Sequence, residues 1–336
     1  MSPPLLEPSP EGLRCARGGF HVDPWSAAAT AVITHVHGDH LLPGSARYVC
    51  SGSSLPFLRK RLGPDVAAQG VPYGERFRLG EVTVSFHPSG HVLGAAQIRL
   101  EAEGETWVVS GDYKRAPDPT CAPFEVVPCD VFITEATFAL PLYRWRDPTV
   151  VARDILAWWE ANRAAGVASV LFAYAMGKAP RILAELARLT DPARTVHVHG
   201  AVEGLVELYR EAGVRLLPTV RVSETARGRS FAGELILAPP GAGGSTWMRR
   251  FGAHETAFAS GWMRVRGTRR RKGFDRGFAL SDHADWPALL RTIEETGARR
   301  VLVTHGYADE LSRYLRERGY DAATLPTPFQ GEADLS

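Results

Sequence analysis

The 336-residue chain has little of several things, and each shortage narrows its possible roles. It has four cysteines, Cys15, Cys50, Cys121 and Cys129, scattered without CxxC spacing. Neither a disulfide framework nor a thiolate metal knot is therefore expected, and reduced, partly buried thiols are. No apolar run approaches the roughly 18 residues of a membrane span, and the start Met1-Ser2-Pro3-Pro4 lacks a signal-peptide pattern. A cytoplasmic protein without a membrane partner is the expectation. Neither sign of charge dominates: 39 Lys and Arg face 37 Asp and Glu, a formal net charge of +2. Any polyanion must then be held by a local patch. There is no internal repeat and no low-complexity segment. What remains is 45% hydrophobic and long enough for a large core and two structural units.

Histidine is not abundant, but it is concentrated. Thr34-His35-Val36-His37-Gly38-Asp39-His40 packs four potential metal ligands into six residues, directly after the apolar run Ala31-Val32-Ile33. In an extended segment alternate side chains share a face, so His35, His37 and Asp39 can point together, while His40 needs the turn that Gly38 eases. The layout predicted is a buried strand ending in a ligand-bearing loop at a sheet's edge. Imidazole and carboxylate without Cys suit zinc, manganese or iron, and disfavour a closed structural zinc site.

Along the chain, the Pro- and Gly-rich residues 1–30 are expected to wrap a sheet edge, with a short strand and turn over Phe20–Trp25. Strands are predicted at Tyr48–Cys50, Val82–Phe86, Ala95–Leu100, Thr106–Val109 and Val131–Thr134. After Pro148 the rhythm changes: helix Val150–Ala165, strand Ala168–Tyr174, helix Pro180–Leu189, strand Thr195–His199 and helix Glu203–Ala212. This β-α-β-α order implies a parallel sheet in a second, inserted domain. The chain then returns with strand Phe278–Ser281, helix Trp286–Thr296, strand Arg299–Thr304, helix Ala308–Arg318 and one short strand after Tyr320. A second His-Val-His-Gly, at 197–200, is not followed by Asp-His; a structural or substrate-facing pair is expected there.

The HxHxDH stretch resembles the signature of the metallo-β-lactamase superfamily, and its later motifs follow in order: His91 in Ser89-Gly90-His91, Asp112 in Ser110-Gly111-Asp112 and His305 in Thr304-His305-Gly306. The resemblance implies that His35, His37 and His91 hold one metal and that Asp39, His40 and His305 hold the other, with Asp112 bridging. Thr134-Glu135-Ala136-Thr137 and Ser281-Asp282-His283-Ala284-Asp285 flank the insert and resemble motifs of the β-CASP nucleases. Nearly the full length, including Phe172-Ala173-Tyr174-Ala175-Met176-Gly177-Lys178, is similar to the bacterial ligase-associated DNA exonucleases. The fold implied is α/β: a metallo-β-lactamase αββα sandwich (1–147 and 276–336) with an inserted β-CASP α/β domain (148–275). The implied cofactors are two divalent ions, zinc first, with manganese or iron as alternatives.

Such a pair of ions suits phosphodiester hydrolysis, because it activates water and neutralises the phosphate oxygens. By resemblance Glu135 supports His283, the candidate proton donor or phosphate ligand, and with Asp39 these form the candidate catalytic set. On the substrate side, Arg264, Arg266, Arg269, Arg270, Arg271, Lys272 and Arg276 crowd around a single acid, Asp275. Arg269, Arg270 and Arg271 are expected to touch the phosphate backbone. Arg144, within Tyr143-Arg144-Trp145-Arg146, can serve base stacking or boundary packing. Lys178, opening a helix after Gly177, can hold a terminal phosphate or simply belong to a cap. Ser260 in Ser260-Gly261-Trp262 is a softer candidate. The expected activity is that of a DNA nuclease, an exonuclease in repair acting on single strands or DNA ends, beside a ligase and a helicase. The alternatives are an RNA-processing nuclease, a small-molecule hydrolase and a non-catalytic nucleic-acid-binding scaffold.

Overall fold

The structure is a computed structural model and describes residues 4–265 and 273–328. Arg269, Arg270 and Arg271 therefore lie outside the described residues. The chain divides into two compact units. One takes in the residues up to Arg115, Cys121–Arg144 and the described residues from His283 onward; the other takes in Ala116–Thr120 and Trp145–Asp282.

The first unit holds two sheets. One runs in chain order through β1 (Glu7–Ser9), β2 (Gly12–Cys15), β3 (Phe20–Val22), β4 (Ala31–Val32), β5 (Tyr48–Ser51) and β6 (Ala68–Val71). Helix α1 (Leu55–Leu62) links its last two strands. The other sheet begins at one edge with β7 (Phe77–Leu79), β8 (Val82–Pro88), β9 (Ala96–Ala102), β10 (Glu105–Val109) and β11 (Val131–Glu135). Two later strands, β18 (Arg300–Thr304) and β19 (Asp321–Thr324), complete it at the far edge.

Side-chain parity explains how this unit is layered. Val84, Phe86, Ile98, Trp107, Val109, Val131 and Ile133 share one core with Val22, Val32, Val49 and Val71 of the first sheet. The opposite parity, Val108, Phe132, Val301 and Val303, packs instead on Leu289 and Ile293 of the helix Trp286–Thr296 and on Leu311 and Leu315 of the helix Ala308–Glu317. The central strands are thus buried on both faces, which is why they read as nearly unbroken apolar runs.

In the second unit every neighbouring strand pair is parallel, as the β-α-β-α rhythm predicts. Its strands are β12 (Ala168–Phe172), β13 (Val196–Val198), β14 (Thr219–Arg221), β15 (Leu235–Ala238), β16 (His254–Ala259) and β17 (Arg276–Phe278), arranged β14-β13-β15-β12-β16-β17. Helix α2 (Pro148–Ala164) leads into β12, α3 (Lys178–Ala187) links β12 to β13 and α4 (Gly200–Glu211) links β13 to β14. Asp147 caps α2 by accepting from the Thr149 amide, and Pro148 fits its first turn. Trp158 and Trp159 of α2 are buried among Leu171, Leu183 and Leu237.

Three expectations need adjusting. The strand predicted at Phe278–Ser281 sits at Arg276–Phe278 and pairs with β16, so residues 276–282 go with the second unit rather than with the segment that follows it. Ala116–Thr120 also goes with the second unit. Residues 1–30 do more than wrap an edge: besides the short strand expected from Phe20, seen as β3, they contribute β1 and β2, each too short to show a readable alternation.

Candidate metal centre

Strands β8, β10, β11 and β18 all point the same way: β10, β11 and β18 are parallel, and β8 is related to β10 through antiparallel β9. Their C-terminal ends therefore share one edge of the sheet. His91 follows β8, Asp112 follows β10, Glu135 ends β11 and His305 follows β18. The loops are tightly built. A Cβ on Gly111, whose φ is +54°, would sit 2.6 Å from the Thr34 Cβ, and one on Gly90 would lie 2.3 Å from the Lys114 carbonyl oxygen.

The HxHxDH segment is not extended throughout. Both His40 and Leu41 donate backbone bonds to the His37 carbonyl, so the chain turns after His37. The alternation expected for His35, His37 and Asp39 therefore holds for the two histidines alone. His35, His37, His91 and Asp112 form one group of convergent ligand atoms; Asp39, His40 and His305 form another. The Asp112 Oδ2 lies 3.4 Å from His35 Nε2, 3.7 Å from His91 Nε2 and 3.6 Å from His40 Nε2, between the two groups.

These residues fit divalent cations. In the first group His37 Nδ1 lies 3.1 Å from both His35 Nε2 and His91 Nε2. Ligand bonds of about 2.0–2.1 Å around a tetrahedral ion would space such nitrogens by roughly 3.3 Å. In the second group the buried Asp39 Oδ1, His40 Nε2 and His305 Nδ1 have no hydrogen-bond partner among the described residues. Three unpartnered buried polar atoms on neighbouring side chains are costly without a ligand. Electrostatics agree. Burial disfavours the charged form of His40, but Asp112, Asp39 and Asp23 outweigh it and raise its pKa to about 10. Burial and the adjacent His40 push His305 down to about 4. Burial, with His35 and His283 nearby, holds His91 well below its ordinary value, and so neutral. Burial would raise the Asp112 carboxyl, yet His40, His283 and His35 keep it well below the usual range.

The sequence reading passes over Asp23. It follows β3, has a φ of +40°, and accepts from the Thr34 amide at 2.8 Å. Its Oδ2 faces His40 Nδ1 at 2.8 Å, which leaves Nε2 as the nitrogen turned toward Asp39 and Asp112. An acid within Val22-Asp23-Pro24 carries no motif of its own, and only the tertiary contact reveals it. Asp23→Asn is expected to weaken metal binding about 10- to 100-fold, because it removes the carboxylate that orients a ligand histidine. Competition against a chromophoric chelator checks this, and an unchanged affinity would make Asp23 purely structural.

Glu135 and His283 stand beside the metal groups. Glu135 Oε1 accepts from the Tyr113 amide at 2.8 Å, and Oε2 lies 2.9 Å from His283 Nδ1. His283 Nδ1 also approaches Asp112 Oδ2 at 4.0 Å, and the His283 ring packs edge-on against Phe138. Both Glu135 and His283 are buried.

The proposed substrate contacts fare differently. Lys178 is buried and paired with Asp282 at 3.2 Å, in a cluster where Arg181 meets Asp282 at 3.2 Å and Asp118 at 3.3 Å. Its charge is already compensated, which counts against a terminal-phosphate role. Ser260 is fully buried and caps a short turn by accepting from the Trp262 amide, so it is not a cleft-facing contact. Tyr143 is buried against Phe138 and Tyr307 rather than offered for stacking, whereas Arg144 is exposed. In the second His-Val-His-Gly, His197 is buried in β13 and His199 caps α4 by accepting from the Ala201 amide. None of the four cysteines joins a metal-ligand group among the described residues.

No family profile matches the chain. A protein of Opitutus terrae described as a probable DNA ligase is 31% identical over 326 residues, 96% of this chain and 31% of that protein. Ribonuclease TTHA0252 of Thermus thermophilus is 31% identical over 34% of this chain and 26% of its own length. Endoribonuclease YSH1 of Gibberella zeae is 33% identical over 21% of this chain and 9% of its own length. These relatives point to the metallo-β-lactamase/β-CASP nuclease superfamily. The chain spans at most about a third of the length of these three relatives. A crystal structure of a protein of unknown function from Enterococcus faecalis V583 shares the fold, with a TM-score of 0.58 at 12% identity, over 90% of this chain and 80% of that one. Among the described residues no helix is long and apolar enough to cross a membrane.

Proposed function

We propose that the chain is a dinuclear-metal nuclease with a metallo-β-lactamase αββα sandwich and an inserted β-CASP domain, hydrolysing phosphodiester bonds in DNA as an exonuclease of repair. The observation that carries this reading is the shared carboxylate. Asp112 lies between a trio of histidines and the Asp39, His40 and His305 group, while His283 stands outside both, held by Glu135.

Two divalent ions, when bound, would lower the pKa of water and neutralise charge on the phosphate. The protein's own groups handle the protons. With Nδ1 of His283 turned to the Glu135 carboxylate, Nε2 is the nitrogen left to act. In its protonated form His283 gives the Nε2 proton to the leaving oxygen as the P–O bond breaks. Asp39, with its unpartnered Oδ1, accepts a proton from the attacking water.

Similarity across nearly the whole chain to a protein described as a probable DNA ligase supports DNA as substrate; a ligase and a helicase of the same pathway are the partners this reading proposes. The relatives named ribonuclease and endoribonuclease favour a second reading, RNA cleavage by the same centre. Digestion of 5′- and 3′-labelled DNA and RNA strands of one sequence, single and double, with zinc, manganese and magnesium supplied in turn, tests both. The first reading requires faster cleavage of DNA with release of mononucleotides; equal or faster cleavage of RNA would overturn it.

A further inference from the structure

Helix α1 carries Arg59, Lys60 and Arg61 in its last turn, and all three are exposed. Helical geometry separates their roles. Phe57 and Leu58 are buried, and Arg61 lies four and three residues beyond them, so it leans toward the same side. From there its guanidinium donates to the Val36 carbonyl at 3.4 Å, the backbone between ligand candidates His35 and His37. Arg59 and Lys60 point away from that packed side. Among the described residues none of the three has an ion-pair partner.

The geometry points to the end of α1 as a phosphate-binding surface that holds the nucleic-acid strand beside the metal centre, an inference that rests on the nuclease reading. Unpaired cations next to a loop of metal ligands fit a polyanion far better than any apolar partner. Cations in a last turn also complement the helix dipole, but that effect calls for no contact with the HxHxDH loop. Arg61, with one N–H directed at Val36, keeps donors for a phosphate of the nucleotides flanking the scissile bond. Arg59 and Lys60 add positive charge at the same helix end, within reach of further phosphates of a flexible strand.

The test uses the full chain loaded with zinc and the substitution R59Q/K60Q/R61Q, since Gln keeps length and helix propensity. Binding of a fluorescent 20-nucleotide single strand is measured against salt concentration, beside the thermal midpoint and metal content. The slope of log K against log salt is expected to flatten by about 0.7 for each phosphate no longer neutralised, so by roughly 1.4 to 2. Affinity should fall about tenfold or more at moderate salt, with metal content retained. The cleavage defect should be larger on the 20-mer than on a dinucleotide too short to reach Arg59 and Lys60. An unchanged slope while the parent binds and cuts strands overturns this surface alone. Equal loss on both substrates, accompanied by a lowered midpoint, overturns it in favour of a structural role. A parent that binds no strand at all overturns the surface together with the nuclease reading.

Discussion

His283→Ala is expected to keep both metal ions and to bind DNA nearly as well as the parent, yet to cleave roughly 100- to 10,000-fold more slowly, the range for losing a general acid. The expectation rests on where the side chain sits. It belongs to neither ligand group around Asp39 and His35; its ring converges instead with Asp112 and Glu135, buried at the same edge of the sheet with Nδ1 facing Glu135. Substrate rescue makes the result interpretable. A 5′-bridging phosphorothiolate leaves as a thiolate and needs no proton, so it should restore much of the lost rate to the variant. A histidine that only grips the phosphate would slow both leaving groups alike. Glu135→Gln should show a milder loss, because the amide still occupies the space while the charge that orients and stabilises the imidazolium is gone. Loss of a metal ion in His283→Ala, or equal defects on oxygen and sulfur leaving groups, would refute proton donation.

How much of this was legible in the sequence depends on which contacts are local. Long buried strands such as Val131–Glu135 and the helix Trp286–Thr296 announce themselves because both their faces or one full stripe are apolar. The β-α-β-α order announces its parallel sheet for the same reason. The ligand residues were readable as residues, but their partition was not. Alternation groups Asp39 with His35 and His37, and only the turn closed by the His40 and Leu41 amides on the His37 carbonyl separates them. Asp23 was invisible because its function lies in a contact seventeen positions away. Lys178 illustrates the opposite error. A lysine opening a helix after glycine has the outline of a phosphate site, yet Asp282, more than a hundred residues on, neutralises it. Sequence spacing cannot reveal a partner supplied by the tertiary fold. In sequence, the three consecutive cations that end α1 look like an ordinary solvated face; only the tertiary contact of Arg61 with the Val36 carbonyl ties them to the HxHxDH loop.

Asp112→Asn is expected to have the most drastic consequence, reducing metal content from two ions per chain to one or none and abolishing measurable cleavage. The carboxylate oxygen sits within 3.4 to 3.7 Å of nitrogens from His35, His40 and His91, so one substitution removes charge from both groups at once. An amide is nearly the same size, which confines the change to charge and lone pairs. The metal-free protein should respond in a diagnostic way. With Asp112 intact, His40 has its pKa raised to about 10 against an ordinary 6.5, with Asp112 foremost among the carboxylates that raise it. A group raised on folding contributes stability that is fully present below its unfolded value and is lost as pH climbs through the folded one. Metal-free parent protein should therefore lose stability between about pH 6.5 and 10. In Asp112→Asn that dependence should shrink and shift to lower pH, because Asp39 and Asp23 alone remain to hold the proton. With zinc present the parent should behave oppositely, binding the ion more tightly as pH rises, since the ion displaces the His40 proton. Denaturation midpoints across this range, with and without zinc, and elemental analysis of both proteins provide the measurement. Two ions retained in Asp112→Asn, with an unaltered pH profile, would remove Asp112 from its place between the groups and with it the basis for a dinuclear centre.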